Sequence, residues 1–370
     1  MNVAFRVDAS LEMGIGHVMR CLTLADILSA QGEQVSFICR EHLGHLIPLI
    51  EQKGYFVCHL EQMQYSVSSQ LVDLALPVLA HGKWLGASQR EDAQQCQEFL
   101  AQFKPDWLIV DHYAIDYRWQ QVLQADYKQL MVIDDLADRV HQCALLLDQS
   151  YGRKAESYLP FVPNDCTLLV GSEYALLRPE FAQWRCASIA RRVVPEFKKL
   201  LITMGGVDAD NVTGQVLEAL QQCLLPKDLM ITVVMGETAP HLEAVKKLAA
   251  NMGITTQIKV NVHNIAELMT ESDLAVGAAG ATTWERCCLG LPTVAIVLAE
   301  NQRMIAERLA REHRMWLLNR ASLELDLKGL LESLSSDGLH IVSSQCQSIV
   351  DGLGAHKVVT ALRGTCNDIS

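Results

Sequence analysis

The stretch NVAFRVDASLEMGIGHVMRCLTLADIL, residues 2–28, joins three kinds of sequence that together decide the fold. Residues 2–7 form an apolar run with the composition of a buried strand, and the loop that follows carries Gly14 and Gly16. Over residues 18–31 apolar side chains recur at helical spacing, and a glycine ends the pattern. A strand, a glycine-containing turn and a helix in this order predict the first repeat of a parallel α/β sheet.

The same alternation recurs along the rest of the chain. Helix-length segments separate short apolar runs, which predict further strands at 35–39, 55–58, 107–110, 130–133 and 144–147. The pattern restarts after about residue 190 and predicts strands at 199–203, 230–235, 256–260, 274–276 and 293–297. We therefore predict an α/β protein with two similar halves, each built on a parallel sheet. Residues 61–89 give no clear pattern.

These patterns also predict the domain organisation. We predict a first domain over residues 1–177, a linker at 178–195 and a second domain over 196–370. The linker prediction rests on two prolines and several charges. The segment from Leu323 to about Arg363 has a helical pattern and is assigned to the second domain as its C-terminal helices, although it could pack back onto the first half.

The composition limits the classes of partner. The chain has 370 residues and a net charge of −12, from 31 basic and 43 acidic residues, which argues against a protein that coats nucleic acid. Its 12 cysteines form no CxxC pair, and free cysteines suit a reducing cytoplasm. The first residues resemble a strand rather than a signal peptide, and no apolar run is long enough to span a bilayer. We expect a cytoplasmic protein without membrane insertion; the oligomeric state stays open, and a monomer is compatible with the sequence.

Polar groups follow several strands of the predicted first sheet. Ligands bind at the carboxyl ends of parallel strands, so the loop that carries Gly14, Gly16 and His17 is the first candidate site. The glycines let the backbone approach a ligand, and a histidine can act as general base near neutral pH. Asp8 is close in sequence and could orient the imidazole; alternatively, His17 only caps or packs at the helix start. Three further strand ends favour a polar cleft: Asp111-His112-Tyr113, Asp134-Asp135 and Asp148-Gln149.

The adjacent carboxylates Asp134 and Asp135 could suggest a metal site. However, adjacent residues on a turn usually point apart, and no nearby histidine completes a set of ligands. We therefore predict no metal and no cofactor.

Two glycine-containing loops in the second half are candidates for binding phosphate. One contains Gly205 and Gly206; the other, residues 277–283, consists of small residues whose N–H groups and hydroxyls would suit a diphosphate. Glu285 could accept hydrogen bonds from the two vicinal hydroxyls of a ribose, or it could merely compensate the helix dipole. The candidate binding positions of this half are Gly205, Gly206, Gly280, Thr282, Thr283, Glu285, Asn301 and Gln302.

In combination, these motifs resemble known families. Four segments of the second half are similar, in order, to the nucleotide-binding domain of GT-B glycosyltransferases: residues 277–283, Glu285, residues 290–292 and Asn301-Gln302. The motif RxDxxxxxGxGHxxRC at residues 6–21, with IDDLADR, LLDQ, LLRPEF and GGVDADN further on, resembles the UDP-2,4-diacetamido-2,4,6-trideoxy-β-L-altropyranose hydrolases of pseudaminic acid synthesis. This resemblance covers about residues 1–310.

The resemblance implies a GT-B fold, in which the parallel sheets of two Rossmann-like domains face a central cleft. It also implies that water attacks the anomeric carbon of the UDP-sugar with inversion, releasing UDP and 2,4-diacetamido-2,4,6-trideoxy-L-altrose. His17 matches the base of the family, and Arg20 lies in the same motif. The positions that contact substrate in the family match Arg178, Glu285 and Asn301. Two alternatives stay open: a GT-B glycosyltransferase that uses a UDP-sugar donor, and a nucleotide-sugar binding protein without catalysis.

Overall fold

The computed structural model describes residues 1–61 and 79–367, except the side chains of Asn301, Cys366 and Asn367. The chain divides into two compact units. Met1–Leu177 and Leu353–Ser370 form the first unit, and Arg178–Gly352 forms the second. Each unit is built on one parallel sheet.

The first unit contains, in its described residues, a seven-stranded sheet with the order β3-β2-β1-β4-β5-β6-β7. The strands are β1 (Asn2–Val7), β2 (Gln34–Arg40), β3 (Phe56–Leu60), β4 (Trp107–Asp111), β5 (Gln129–Ile133), β6 (Leu145–Asp148) and β7 (Thr167–Val170). The helices along this part of the chain are α1 (Gly16–Ala30), α2 (Ile47–Gln52), α3 (Gln89–Phe103) and α4 (Tyr117–Val122).

The two central strands, β1 and β4, explain where the polar groups of this unit collect. They pair in parallel register, with Phe5 opposite Ile109 and Val7 opposite Asp111. Apolar clusters lie on both faces of the sheet, so β4 is apolar up to Asp111 and β1 is apolar from Val3 to Val7 except at Arg6, without the alternation of a half-exposed strand. Since β1 and β4 end side by side, the end of β4 lies next to the loop that leads from β1 into α1.

The second unit contains, in the part that is described, a six-stranded sheet with the order β10-β9-β8-β11-β12-β13. The strands are β8 (Lys199–Thr203), β9 (Met230–Met235), β10 (Thr255–Val260), β11 (Leu274–Ala278), β12 (Thr293–Ile296) and β13 (Trp316–Leu318). The helices are α5 (Pro179–Arg191), α6 (Val212–Gln221), α7 (Leu242–Ala250), α8 (Ile265–Glu271), α9 (Thr282–Cys288), α10 (Glu300–Arg311), α11 (Leu323–Glu332) and α12 (Ser336–Cys346).

Residues 178–195, predicted as a linker, are mostly helical and belong to the second unit. Pro179 begins α5, a position where its missing N–H costs nothing. Inside the helix, Ser188 donates a 2.7 Å hydrogen bond to the Leu289 carbonyl. Arg185 donates to the Gln347 carbonyl at 2.8 Å, which ties α5 to the end of α12. Pro179 therefore marks the start of a packed helix, and the charged residues Arg185 and Arg192 bind backbone carbonyls of the same unit.

The last helix, α13 (Gly354–Asn367), belongs to the first unit, which corrects the predicted domain 196–370. Val358 and Leu362 are fully buried in the core of the first unit. Trp107, in β4, donates a 3.1 Å hydrogen bond from Nε1 to the Leu362 carbonyl. The helices α11 and α12 stay with the second unit, so the chain returns to the first unit at Leu353.

The strand predictions correspond to β1–β6 and β8–β12, whereas β7 and β13 were missed. Both missed strands are short, and β13 has only three residues, two of them half-buried. Short, partly exposed strands lack the continuous apolar run that identifies a central strand. Among the helices of the described residues, none combines the length and the apolar composition needed to cross a membrane.

Candidate active site

His17 is paired with a buried carboxylate at the carboxyl edge of the first sheet. It lies in the first turn of α1, and its Nδ1 is 2.6 Å from Oδ1 of Asp111, the last residue of β4. The Asp111 side chain is fully buried, whereas that of His17 is 12% exposed. Among the described residues no hydrogen-bond partner of Nε2 is found, so this ring nitrogen can accept a proton when Nδ1 carries the hydrogen.

Arg20 holds the same carboxylate from the next turn of α1. Its Nε donates to Oδ2 of Asp111 at 2.6 Å, and its Nη2 donates to Oδ1 at 2.7 Å. Its third nitrogen, Nη1, donates to Oδ2 of Asp135 at 2.6 Å. Burial alone would raise the pKa of Asp111, but the charge of Arg20 and the hydrogen bonds with Arg20 and His17 outweigh it and hold that pKa well below the ordinary value. Asp111 therefore stays ionised beside His17 at neutral pH.

Aromatic side chains lie beside this pair. Tyr113 belongs to a strand end that the sequence predicted to face a polar cleft, whereas His81 and Trp84 were not predicted. The Tyr113 ring meets the His17 ring edge-on at 4.6 Å, and the Tyr113 hydroxyl donates to Asp135 at 2.9 Å. His81 and Trp84 lie 5.5 Å and 6.0 Å from the Tyr113 ring. Both come from the segment 61–89 whose pattern was unclear, and an isolated aromatic residue carries no signal of its position in the fold.

Asp8 does not contact His17, which corrects its predicted role. Its Oδ1 accepts hydrogen bonds from Arg6 Nη1 at 2.6 Å and from the Arg40 backbone N–H at 2.7 Å. Arg6 and Arg40 also donate to Asp92. Asp8 is thus part of a fully buried ion-pair network under the site, and the carboxylate that orients His17 is Asp111.

The glycines of the first loop leave its backbone accessible. Gly14 has a φ of +75°, a conformation that favours glycine, and its N–H donates to the Ser10 carbonyl at 2.9 Å. A Cβ added at Gly14 or at Gly16, the first residue of α1, would meet no heavy atom within 4 Å. The predicted positions Gly14, Gly16, His17 and Arg20 therefore all belong to one region of the first unit.

In the second unit, the two predicted phosphate-binding loops follow neighbouring strands. Gly205 and Gly206 follow β8, and the loop that contains Gly280 follows β11, which pairs with β8 in parallel. Thr282 and Thr283 begin α9, and Thr283 is buried. The structure therefore brings these loops to the same edge of one sheet.

Glu285 lies in the first turn of α9 with its side chain 18% exposed. Burial raises its pKa to about 7, although the positive charges of Arg178 and Arg286 oppose the shift. Arg178 Nη2 is 3.8 Å from the Glu285 carboxylate and 3.2 Å from that of Glu180. The structure thus places two predicted substrate-contacting side chains, Arg178 and Glu285, near one another.

The remaining predicted positions lie at the start of α10. Gln302 accepts a 3.1 Å hydrogen bond from the Leu298 N–H, and its Nε2 would be 3.3 Å from a Cβ at Gly280. Gln302 is thus adjacent to the loop after β11. The prediction for Asn301 concerns a side chain outside those that the structure describes.

Potential metal ligands do not cluster in the residues that the structure describes. No group of three or more His, Cys, Asp or Glu side chains is arranged to hold a metal ion within residues 1–61 and 79–367. The prediction that no metal is needed remains one for experiment.

These two Rossmann-like units define a GT-B fold, as the sequence predicted. The solved structure of Acinetobacter baumannii MurG superposes with a TM-score of 0.70 at 16% sequence identity, covering 98% of this chain and 99% of that one. Such a similarity establishes the fold and carries no information on substrate.

Comparisons of sequence identify relatives of this chain. Residues 199–348 match the profile of the glycosyltransferase family 28 C-terminal domain. The chain is 27% identical over 312 residues to the UDP-2,4-diacetamido-2,4,6-trideoxy-beta-L-altropyranose hydrolase of Campylobacter jejuni, covering 84% of this chain and 97% of that protein. An uncharacterized protein of Methanocaldococcus jannaschii is 26% identical over 307 residues, which are 82% of this chain but 57% of that longer protein. The predicted resemblance to these hydrolases is therefore confirmed as sequence similarity.

Proposed function

We propose that this protein is a UDP-sugar hydrolase that converts UDP-2,4-diacetamido-2,4,6-trideoxy-β-L-altropyranose to UDP and free 2,4-diacetamido-2,4,6-trideoxy-L-altrose, a step of pseudaminic acid synthesis. The observation that carries the proposal is the 2.6 Å contact between His17 Nδ1 and Asp111, which leaves Nε2 as a potential base. The Campylobacter jejuni hydrolase, similar over most of both chains, supports the choice of substrate.

The first unit would supply the base. With its Nδ1 hydrogen directed at ionised Asp111, His17 can take a proton from water at Nε2, and the carboxylate then stabilises the imidazolium that forms. Water attacks the anomeric carbon from the face opposite to UDP, so the carbon is inverted. The bond between the anomeric carbon and the diphosphate oxygen breaks, its electrons leave with UDP, and the proton passes from His17 to solvent.

The second unit would supply the nucleotide site. The loops after β8 and β11 present glycine backbone at one sheet edge, which suits a diphosphate. The Glu285 carboxylate, when ionised, could accept hydrogen bonds from both ribose hydroxyls. The match to the glycosyltransferase family 28 C-terminal domain spans these same residues, 199–348.

The same match supports a second candidate function, in which the protein transfers the sugar of a UDP-sugar donor to another acceptor. In that reaction His17 would deprotonate an acceptor hydroxyl instead of water. A nucleotide-sugar binding protein without catalysis is the third candidate. The described cysteines are all free thiols, which is typical of a reducing compartment, and we place the reaction in the cytoplasm.

One experiment separates these candidates. The purified protein is incubated with a panel of UDP-sugars in EDTA, without any acceptor, and UDP release is measured. The hydrolase proposal expects turnover that continues in EDTA, is highest with the diacetamido-trideoxy sugar, and is lost in His17→Asn. The variant His59→Asn is a matched control, since His59 is an exposed histidine of β3 that pairs with Glu41. UDP release that requires an added acceptor would favour the transferase, and binding without turnover would favour the binding protein.

A further inference from the structure

Arg286 is a fully buried arginine at the sheet edge where both glycine loops of the second unit begin. It lies in α9, and its Nη2 donates to the Ala278 carbonyl at 2.6 Å and to the Thr283 hydroxyl at 3.3 Å. A Cβ at Gly277 would overlap Nη1 of Arg286 and would lie 2.9 Å from the Thr203 carbonyl oxygen. The guanidinium therefore packs against the end of β11, next to the end of β8, at the point where the two loops begin.

The charge of this guanidinium is not balanced by an ion pair. Among the ion pairs of the described residues none involves Arg286, and its Nε and Nη1 have no hydrogen-bond partner. Burial lowers the pKa of Arg286 to about 10, so the side chain is still a cation at neutral pH. The neighbouring Glu285 does not cancel this charge fully, because its own pKa is raised to about 7.

An unpaired buried cation is costly to a folded protein, and it is poorly screened by solvent. A negative group bound above the loops would offset that cost, because the two charges would interact through the protein interior. The hydrogen bond to Ala278 at the same time fixes the carbonyl from which the loop after β11 begins.

We propose that Arg286 is a positioning residue of the nucleotide site, which fixes the loop after β11 and supplies a buried positive charge that favours a nucleoside diphosphate over a nucleoside. This inference rests on the proposed nucleotide site of the second unit. Arg286 acts through the loops and through its charge, without touching the ligand. The contribution of Arg286 to binding affinity therefore grows with the number of phosphate groups on the ligand, and it is absent for the uncharged nucleoside.

Arg192 offers a matched control in the same unit. It is also buried, at 5% exposure, and it likewise donates to backbone carbonyls, those of Met269 at 2.8 Å and Ser272 at 2.9 Å. Ser272 precedes β11, so Arg192 lies at the amino end of this strand and Arg286 at its carboxyl end. Both arginines contribute buried charge and hydrogen bonds, but only Arg286 lies beneath the loops.

The test compares the binding of UDP, UMP and uridine by calorimetry, in the full chain, for wild type, Arg286→Met, Arg286→Lys and Arg192→Met. We expect Arg286→Met to lower the ratio of UDP affinity to uridine affinity by about tenfold, with UMP intermediate. Arg286→Lys should keep most of the ratio because it keeps the charge, and Arg192→Met should leave the ratio unchanged.

An unchanged ratio of UDP affinity to uridine affinity in Arg286→Met would overturn the inference. If both affinities fall equally, the role of Arg286 is purely structural; if neither falls, Arg286 has no role in binding. If Arg286→Met does not fold, the same affinity ratio is compared between Arg286→Lys, which keeps the charge, and Arg286→Gln, which does not. The inference then expects a lower ratio in Arg286→Gln, and equal ratios would contradict it. If the wild-type protein does not bind UDP, both the proposed nucleotide site and this inference are wrong. If it binds UDP and the ratio of UDP to uridine affinity is the same in Arg286→Met, only the inference about Arg286 is wrong.

Discussion

His17 and Asp111 are joined by a 2.6 Å contact between Nδ1 and Oδ1, although 94 residues separate them in the chain. The contact exists because β1 and β4 are neighbours in the sheet, so the end of β4 faces the first turn of α1. Arg20, one turn further along α1, binds both oxygens of the same carboxylate. The orientation of the imidazole is thus determined by a carboxylate that is itself held from a second side.

Replacement of that carboxylate should impair turnover more than binding. In Asp111→Asn the side chain can no longer stabilise an imidazolium, and its amide can favour the wrong tautomer of His17. We expect kcat to fall about 10²–10⁴-fold while KM changes by less than about threefold, measured by steady-state UDP release. Asp116→Asn is the control, since Asp116 is a buried carboxylate of the same unit that caps α4. Near-normal turnover of a folded Asp111→Asn protein would remove Asp111 from the mechanism.

The raised pKa of Glu285, about 7, predicts how UDP binding depends on pH. Below pH 7 the Glu285 carboxyl group is largely protonated. It must lose its proton before it can accept hydrogen bonds from both ribose hydroxyls. UDP affinity should therefore rise with pH through about 7, by at most about tenfold per unit, and binding should release a proton. Calorimetry in two buffers of different ionisation enthalpy measures both effects.

Glu285→Gln separates the titration of Glu285 from that of UDP, whose terminal phosphate has a second pKa of about 6. The variant should bind UDP more weakly at pH 8 and should show only the pH dependence of the ligand. In the wild-type protein the pKa of folded Glu285 lies above the ordinary value, so protonation of Glu285 stabilises the unliganded fold. This contribution to stability is lost as pH rises through 7. Equal pH profiles for wild type and Glu285→Gln would contradict the assignment of Glu285 to the ribose.

A third prediction concerns the close packing beneath the loop after β11. Gly277→Ala introduces a methyl group that overlaps the Arg286 guanidinium and approaches the Thr203 carbonyl oxygen to 2.9 Å. We expect the free energy of unfolding to fall by about 1–3 kcal/mol, measured in urea. Gly253→Ala is the control, because a Cβ there would meet no heavy atom within 4 Å. If both variants are equally stable, the packing of Arg286 against Gly277 is not as close as the structure indicates.

The sequence predicted the central strands well, and the reason is their burial. The strands β1 and β4 are covered on both faces, so each consists mainly of apolar residues and differs clearly from the sequence around it, although β1 includes Arg6. The helix α5 was missed because Pro179 and the charges near it indicate a linker, whereas Ser188 is buried only by contacts that arise on folding. The return of α13 to the first unit rests on contacts such as that of Trp107 with Leu362, 255 residues apart, which no local pattern can show.

In the candidate site, too, the sequence predicted what depends on local pattern and did not predict what depends on contacts between distant residues. His17 was predicted because a strand, a glycine turn and a helix start are adjacent in the chain. Its partner was assigned to Asp8 instead of Asp111, because sequence proximity favours Asp8 whereas the strand order that places β4 beside β1 is a property of the folded sheet. Arg286 gave no signal at all, since an arginine inside a helix is expected to be exposed and this one is fully buried.

The last prediction follows the oxygen atom of the attacking water. If His17 deprotonates water for attack at the anomeric carbon, reaction in heavy-oxygen water should place the label in the free sugar and not in UDP, and the first-formed anomer should be inverted. The reason is that the bond between carbon and the diphosphate oxygen breaks, and UDP is a leaving group good enough to need little help from an acid. Mass spectrometry of both products and rapid nuclear magnetic resonance of the sugar measure the two results.

His17→Asn and His17→Phe complete this test, because both remove the base while leaving the second unit unchanged. Each variant should lower turnover by about 10²–10⁴-fold and should still bind UDP with an affinity close to that of wild type. His59→Asn, in an exposed histidine of the same unit, should keep normal turnover. Label in UDP would indicate cleavage between phosphorus and oxygen, and a His17 variant with normal turnover would exclude this residue as the base, whatever the position of the label.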